Sequence, residues 1–213
     1  MTSKTLYYQP LHSEIQDQSR ELVEILQKNN TYGFETPGGT DKDTIHAYTG
    51  AYEFLLAPYK NREINLLEVG VQFGGSSLLW HDYLQKAKLA LVDLVPWINY
   101  SIIQRMDPER FKFYVCDGYV DESVAKVVAD FPEGFDVAID DGPHTLESQI
   151  LFIQKYLPHM RPGGVMIIED IQSQEDLNVL FEIVPTEYRH KARVIDLRSI
   201  KGRYDDLMFI LHT

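Results

Sequence analysis

A chain of 213 residues, 44% of them hydrophobic, is long enough for one domain with a full core and too apolar to stay disordered. Its 32 acidic against 20 basic residues give a formal charge of −12, which repels phosphate backbones and excludes a general nucleic-acid binder. No apolar run approaches the roughly 20 residues that span a bilayer. Met1 to Tyr8 lack the apolar stretch of a signal peptide, and the single cysteine, Cys116, permits no intrachain disulfide. A cytoplasmic location is expected. Lys191, Arg193, Arg198, Lys201 and Arg203 cluster near the C-terminus, but acids interrupt them and the stretch reads as a solvated face.

Residues 12–30 predict an amphipathic helix, with Ile15, Leu22, Val23, Ile25 and Leu26 near helical spacing and Asn29-Asn30 as its stop. A loop rich in glycine and threonine follows over 31–40. Asp43 or Thr44 caps a second predicted helix reaching about residue 58. From there strands are expected at 64–69, 89–94, 111–116, 135–139, 165–169, 192–197 and 207–211. Helices are expected between the first six, at 76–85, 97–106, 122–131, 146–157 and 174–183. This alternation predicts a parallel sheet with helices on both faces. The residues between the last two strands are too few for a helical crossover, so that pair must be an antiparallel hairpin. The expected fold is therefore α/β: a seven-stranded, mostly parallel sheet in an αβα sandwich, the Rossmann-like arrangement of class I methyltransferases. Residues 1–60 are expected to be an N-terminal helical extension or lid, and 61–213 the catalytic domain.

Two acidic pairs carry the strongest functional signal. Asp140-Asp141 ends the apolar run before Gly142-Pro143-His144, and Glu169-Asp170 ends the run 164–168. Adjacent carboxylates at the ends of buried strands repel and resist desolvation, so packing does not explain them. Neighbouring strands would bring all four together, and an all-oxygen set suits Mg²⁺ or another hard divalent ion. His144 adds an imidazole able to take a proton from a hydroxyl near neutral pH.

A second signal is the loop Leu67-Glu68-Val69-Gly70-Val71-Gln72-Phe73-Gly74-Gly75-Ser76. Its glycine spacing does not match the G-x-G-x-x-G of dinucleotide enzymes. It resembles the first motif of S-adenosylmethionine (SAM)-dependent methyltransferases, with Glu68 two residues before the first glycine. That resemblance implies cofactor contacts from Glu68, Gly70, Gly74, Gly75 and Ser76, with the methionine carboxylate at the helix N-terminus. It further implies Asp93 on the ribose hydroxyls and Asp117, with Gly118, on the adenine. Trp97, just beyond Asp93, is a candidate cover for the adenine, whereas Trp80 reads as core.

Gly39-Thr40-Asp41-Lys42, the stretch with His46, Tyr48 and Tyr52, the glycine loop, Asp-Asp-Gly-x-His and Ile-Glu-Asp occur in this order. Over about residues 38–172 the chain resembles the metal-dependent sugar O-methyltransferases of macrolide biosynthesis, the mycinamicin type. The resemblance implies Asp141, Glu169 and Asp170 as Mg²⁺ ligands and His144 as general base. Asp140 then falls to the cofactor side or to support behind the ion. It also implies SAM as methyl donor, a sugar or other small hydroxylated acceptor, and a homo-oligomer. Pro143 departs from the small polar residue expected there. The chain also shows no counterpart of the large N-terminal domain of some members, which leaves the acceptor wall to the first 60 residues, to loops or to another subunit. Two other readings stand beside this one: a catechol-type O-methyltransferase, and a SAM-binding regulator without turnover. Thr40-Asp41-Lys42 is open between a lid and a capped helix start, and Tyr48 with Tyr52 between ligand stacking and core. His46 has no partner visible in the sequence.

Overall fold

The computed structural model describes residues 20–213. Helix α1 (Glu21–Asn29) is the described part of the first predicted helix, and residues 12–19 lie outside the described range. Its stop is as read: Asn30 takes a left-handed conformation, φ 54°, and returns its N–H to the last turn. The second helix, α2 (Tyr48–Leu56), starts three or four residues later than expected and continues as a short 3₁₀ turn, Ala57–Tyr59. The amides of Thr44, Ile45 and His46 all converge on the Asp41 carbonyl, which closes a compact turn where a helix was expected. The Tyr48 N–H then donates to the Lys42 carbonyl, tying that turn to the start of α2.

The sheet follows as β1 (Ile64–Val69), β2 (Ala87–Asp93), β3 (Phe111–Val115), β4 (Phe135–Asp140), β5 (Met160–Ile168), β6 (Ala192–Asp196) and β7 (Leu207–His212). Between them lie α3 (Gly75–Tyr83), α4 (Tyr100–Ile103), α5 (Asp121–Asp130), α6 (Leu146–Tyr156), α7 (Gln174–Ile183), α8 (Thr186–Arg189) and α9 (Arg198–Lys201). The predicted helix over 97–106 is reduced to the single turn α4. Asn99 caps it by accepting from the Ser101 N–H and anchors it through its own N–H to Phe73 O. Strand β5 runs back through Pro162-Gly163-Gly164 to Met160, with a register shift opposite Phe135 and Val137.

The strand order is β3-β2-β1-β4-β5-β7-β6, with β7 antiparallel to both neighbours. The seven strands and the C-terminal hairpin are as the sequence predicts. Strand alternation divides the core into two faces. Leu66, Val137 and Ile139 pack with α1, α2 and α3 on one side. Leu67, Val69 and Ala138 pack with α5, α6 and α7 on the other. Removing one such buried leucine costs about 2–5 kcal/mol, so both helical layers are firmly held. Chain order reverses between β1 and β4, and register there sets Val69 against Asp140 and Asp140 against Ile168. The loops after these strands diverge at this point, where open α/β sheets bind ligands. No helix among the described residues is long and apolar enough to cross a membrane.

Candidate active site

The carboxyl ends of β1 to β5 open onto a cavity of about 480 Å³, closed on its far side by the 39–46 turn and by Arg203 and Asp205. Close backbone approach shapes one half of it. Gly70 has φ 91°, and a Cβ there would lie 1.8 Å from the Asp141 carbonyl oxygen. The β1 turn therefore runs directly against the end of β4. Gly74, φ 90°, precedes α3, and a Cβ on Gly75 would come within 2.5 Å of Gly39. Asp93 holds this loop in shape. Its Oδ2 accepts from the N–H groups of Val71 (2.9 Å) and Gln72 (2.7 Å), and its Oδ1 from Val95. Ser76, Asp93, Asp117, Gly118 and the half-exposed Trp97 all line the cavity. Phe73 stacks on Trp97 with ring centroids 6.5 Å apart.

Three expected cofactor contacts, Glu68, Gly74 and Asp140, do not line the cavity. Glu68 is fully buried behind the loop and does not line the cavity. Its carboxylate accepts from Ser77 Oγ (2.7 Å) and Trp80 Nε1 (2.8 Å), so it fastens α3 to β1. Alternation along β1 is the cause: Glu68 points to the same face as Leu66, towards α3. Asp140, the last residue of β4, is also buried and absent from the cavity wall; it accepts from the Tyr119 hydroxyl at 2.5 Å. Burial, with Asp141 next to it, pushes its carboxyl up to about 7, and the Tyr119 bond pulls the other way.

The other half of the cavity is acidic. Asp170 and His144 both adopt φ 54°, uncommon for residues with a side chain. His144 sits just before Thr145, the capping-box residue of α6, and not on the helix. Its Nδ1 is 3.5 Å from Asp170 Oδ2 and its Nε2 3.9 Å from Asp141 Oδ1. Donor atoms of Asp141, His144 and Asp170 all lie within 4.8 Å of one another. Glu169 is not in this set. It is buried, and Lys42 Nζ lies 2.7 Å from each of its oxygens, with the Tyr52 hydroxyl donating to it as well. The same Lys42 Nζ reaches Asp141 Oδ2 at 2.7 Å. Burial and the Asp141 charge raise the Glu169 carboxyl well above its ordinary range. Burial also raises Asp170, against the pull of His46.

Four further residues contribute to this half. Lys42 is buried between the two acidic pairs, where a lid or a helix cap was expected. Tyr48 and Tyr52 are core residues whose hydroxyls reach Asp170 (2.6 Å) and Glu169. His46 stacks on Tyr48 and places Nδ1 2.7 Å from Asp206 Oδ1 and 3.3 Å from Asp170 Oδ1. With Asp170 and Asp205 it forms a second converging donor set.

The strand order and the C-terminal antiparallel hairpin are those of the Rossmann-like class I methyltransferase fold. A family model described as a methyltransferase domain matches residues 67–171. Among curated proteins, the chain is 30% identical over 142 residues to 8-demethyl-8-alpha-L-rhamnosyl tetracenomycin-C 2'-O-methyltransferase of Streptomyces olivaceus, covering 63% of this chain and 36% of that protein. It is 27% identical over 135 residues to demethylmacrocin O-methyltransferase of Streptomyces fradiae, covering 60% and 32%. The chain thus spans about a third of the length of the curated relatives it matches. Among solved structures, the methyltransferase MycE of mycinamycin biosynthesis, in complex with Mg, SAH and mycinamycin VI, superposes with a TM-score of 0.56 at 24% identity, over 70% of this chain and 36% of that one. The O-methyltransferase from Bacillus cereus in complex with SAH gives 0.64 at 16% identity, over 95% of each chain. Over about 60% of its length the chain is thus similar to O-methyltransferases named for glycosylated substrates.

Proposed function

We propose that the protein is a SAM- and Mg²⁺-dependent O-methyltransferase acting on a hydroxyl of a sugar or other small hydroxylated metabolite. The observation that carries this reading is the convergence of Asp141, His144 and Asp170 within 4.8 Å at the acidic end of a cavity whose other end has the glycine loop and strand-end acids of a SAM site. The donors are hard oxygen and nitrogen atoms with no sulfur, which fits Mg²⁺ or Mn²⁺. Asp141 and Asp170 would hold the ion, with Glu169 behind them on Lys42. SAM supplies an electrophilic methyl group on a sulfonium, and a bound divalent ion lowers the pKa of a coordinated hydroxyl.

The chain's own residues do the rest. Backbone amides at the start of α3, from Gly75 and Ser76, receive the carboxylate of the methionine moiety. Asp93 keeps one acceptor site on Oδ1 for a ribose hydroxyl while its bonds to Val71, Gln72 and Val95 hold the loop. Asp117 accepts the adenine amino group, and Trp97 covers the ring. His144 directs Nδ1 to Asp170 and takes the acceptor's hydroxyl proton at Nε2 as the oxygen attacks the methyl carbon. The left-handed backbone at His144 places the ring in the cavity; strain of that kind concentrates at functional sites.

Of the extension 1–60, the described residues 20–60 close the acidic end, anchored by Lys42, His46 and Tyr48. A cytoplasmic homo-oligomer with a small-molecule acceptor, and neither nucleic acid nor membrane, completes the reading. The acidic net charge weighs against nucleic acid, and the names of the relatives, such as the rhamnosyl tetracenomycin-C 2'-O-methyltransferase, favour a glycosylated small molecule. The test is His144→Ala. Methyl transfer should fall about 10²- to 10⁴-fold while calorimetry shows SAM affinity within about twofold of the native protein. Native turnover in the variant would remove His144 as the base.

A further inference from the structure

Lys42 has an unusual setting for a lysine. Its side chain is 2% exposed, and lysine is almost never fully buried unless paired. An ammonium carries three donors, and here three carboxylate oxygens surround it at 2.7 Å: Asp141 Oδ2, Glu169 Oε1 and Glu169 Oε2. The Tyr52 ring lies 5.5 Å away on one side. The backbone cannot carry the group elsewhere, because the Asp41 turn and the Tyr48 N–H to Lys42 carbonyl bond fix its Cα. The group is thus an ammonium coordinated by three carboxylate oxygens, beside the donors of Asp141, His144 and Asp170.

We infer that Lys42 is an internal counter-cation that competes with the divalent ion for Asp141 and so sets the affinity of the metal site. This inference rests on the metal-dependent reading above. Asp141, Glu169 and Asp170 place three carboxylates at the ends of β4 and β5. Without a cation they would repel strongly in a buried site. Lys42 relieves that repulsion in the metal-free protein, which lets the site stay assembled while empty. A divalent ion must then share or displace the ammonium at Asp141. The positive charge so close by makes the ion bind more weakly than three carboxylates alone would allow. Glu169, held at both oxygens by Lys42, stays in support.

The test is Mn²⁺ affinity, read by electron paramagnetic resonance on the full chain, for the native protein, Lys42→Met and Lys42→Gln. The glutamine variant keeps hydrogen-bond donors for the carboxylates without the charge and guards against misfolding of the first. Both variants should bind Mn²⁺ at least tenfold more tightly, and lose thermal stability in chelator that saturating Mn²⁺ restores. Mn²⁺ binding by the variants but not by the native protein would support the competition equally. Equal or weaker affinity in both variants, with the native protein binding Mn²⁺, would overturn the inference and leave the metal reading standing. Absence of Mn²⁺ binding in all three proteins would sink the metal reading and this inference with it.

Discussion

At the scale of single residues, the candidate site is a set of charges whose neighbours decide their roles. Asp140 and Asp141 are adjacent, yet one is buried against Tyr119 and the other faces the cavity. The strand direction separates them, and the pair cannot be told apart from composition. Burial raises Asp140 to about 7, above the value near 4 of an unfolded carboxyl. The folded state therefore binds the extra proton across that interval, and stability falls as pH rises from about 4 to about 7. Chemical denaturation of metal-free protein at several pH values should show this decline, and Asp140→Asn should flatten it. An equally steep decline in the variant would place its origin in other groups. His46 was beyond reach of the sequence for a related reason: its partner Asp206 lies 160 positions away. Lys42 was visible in a motif, but only the fold shows that its charge turns inward. Among the described residues, Asp206 Oδ2 and Gln149 Oε1 are buried without a hydrogen-bond partner, so this region carries polar groups in excess of what packing needs.

At the scale of elements, apolar runs made the sheet legible, and the turns were harder to read. The parallel strands are continuous hydrophobic stretches because helices cover both faces, and their predicted bounds agree with the structure to within two residues except at the start of β5. The helices expected over 43–58 and 97–106 were shortened by local hydrogen bonds, to the Asp41 carbonyl in one case and to Asn99 in the other. Neither competition shows in periodicity. The glycine loop was legible as a loop, and its geometry explains each residue differently from the motif. Gly70 is required by the Asp141 carbonyl pressed against it, and Glu68 serves the α3 interface and not the cavity. Gly70→Ala must move β4 away or distort a left-handed turn. It should cost about 3 kcal/mol or more, measured by denaturant unfolding, with SAM affinity lost in parallel. A variant of native stability would mean that the β1 turn does not abut β4.

At the scale of the whole molecule, the sheet order places a cofactor-type loop and an acidic cluster on opposite sides of one opening. The switch between β1 and β4 makes the opening. The paired ends of β4 and β5 supply the acids, and the segment before β1 closes the far wall. The C-terminal hairpin adds Asp205 and Asp206 from the same side, a contribution that the chain's linear order conceals. An electrophile held at the glycine loop and a hydroxyl held at the acids would meet within one cavity. Methyl transfer from labelled SAM to a panel of rhamnosides and other glycosides tests whether they do. Labelled product should form with Mg²⁺ present, disappear in excess chelator and return when Mg²⁺ is restored. Undiminished transfer in chelator, or SAM binding with no product on any hydroxylated acceptor in either condition, would contradict this arrangement.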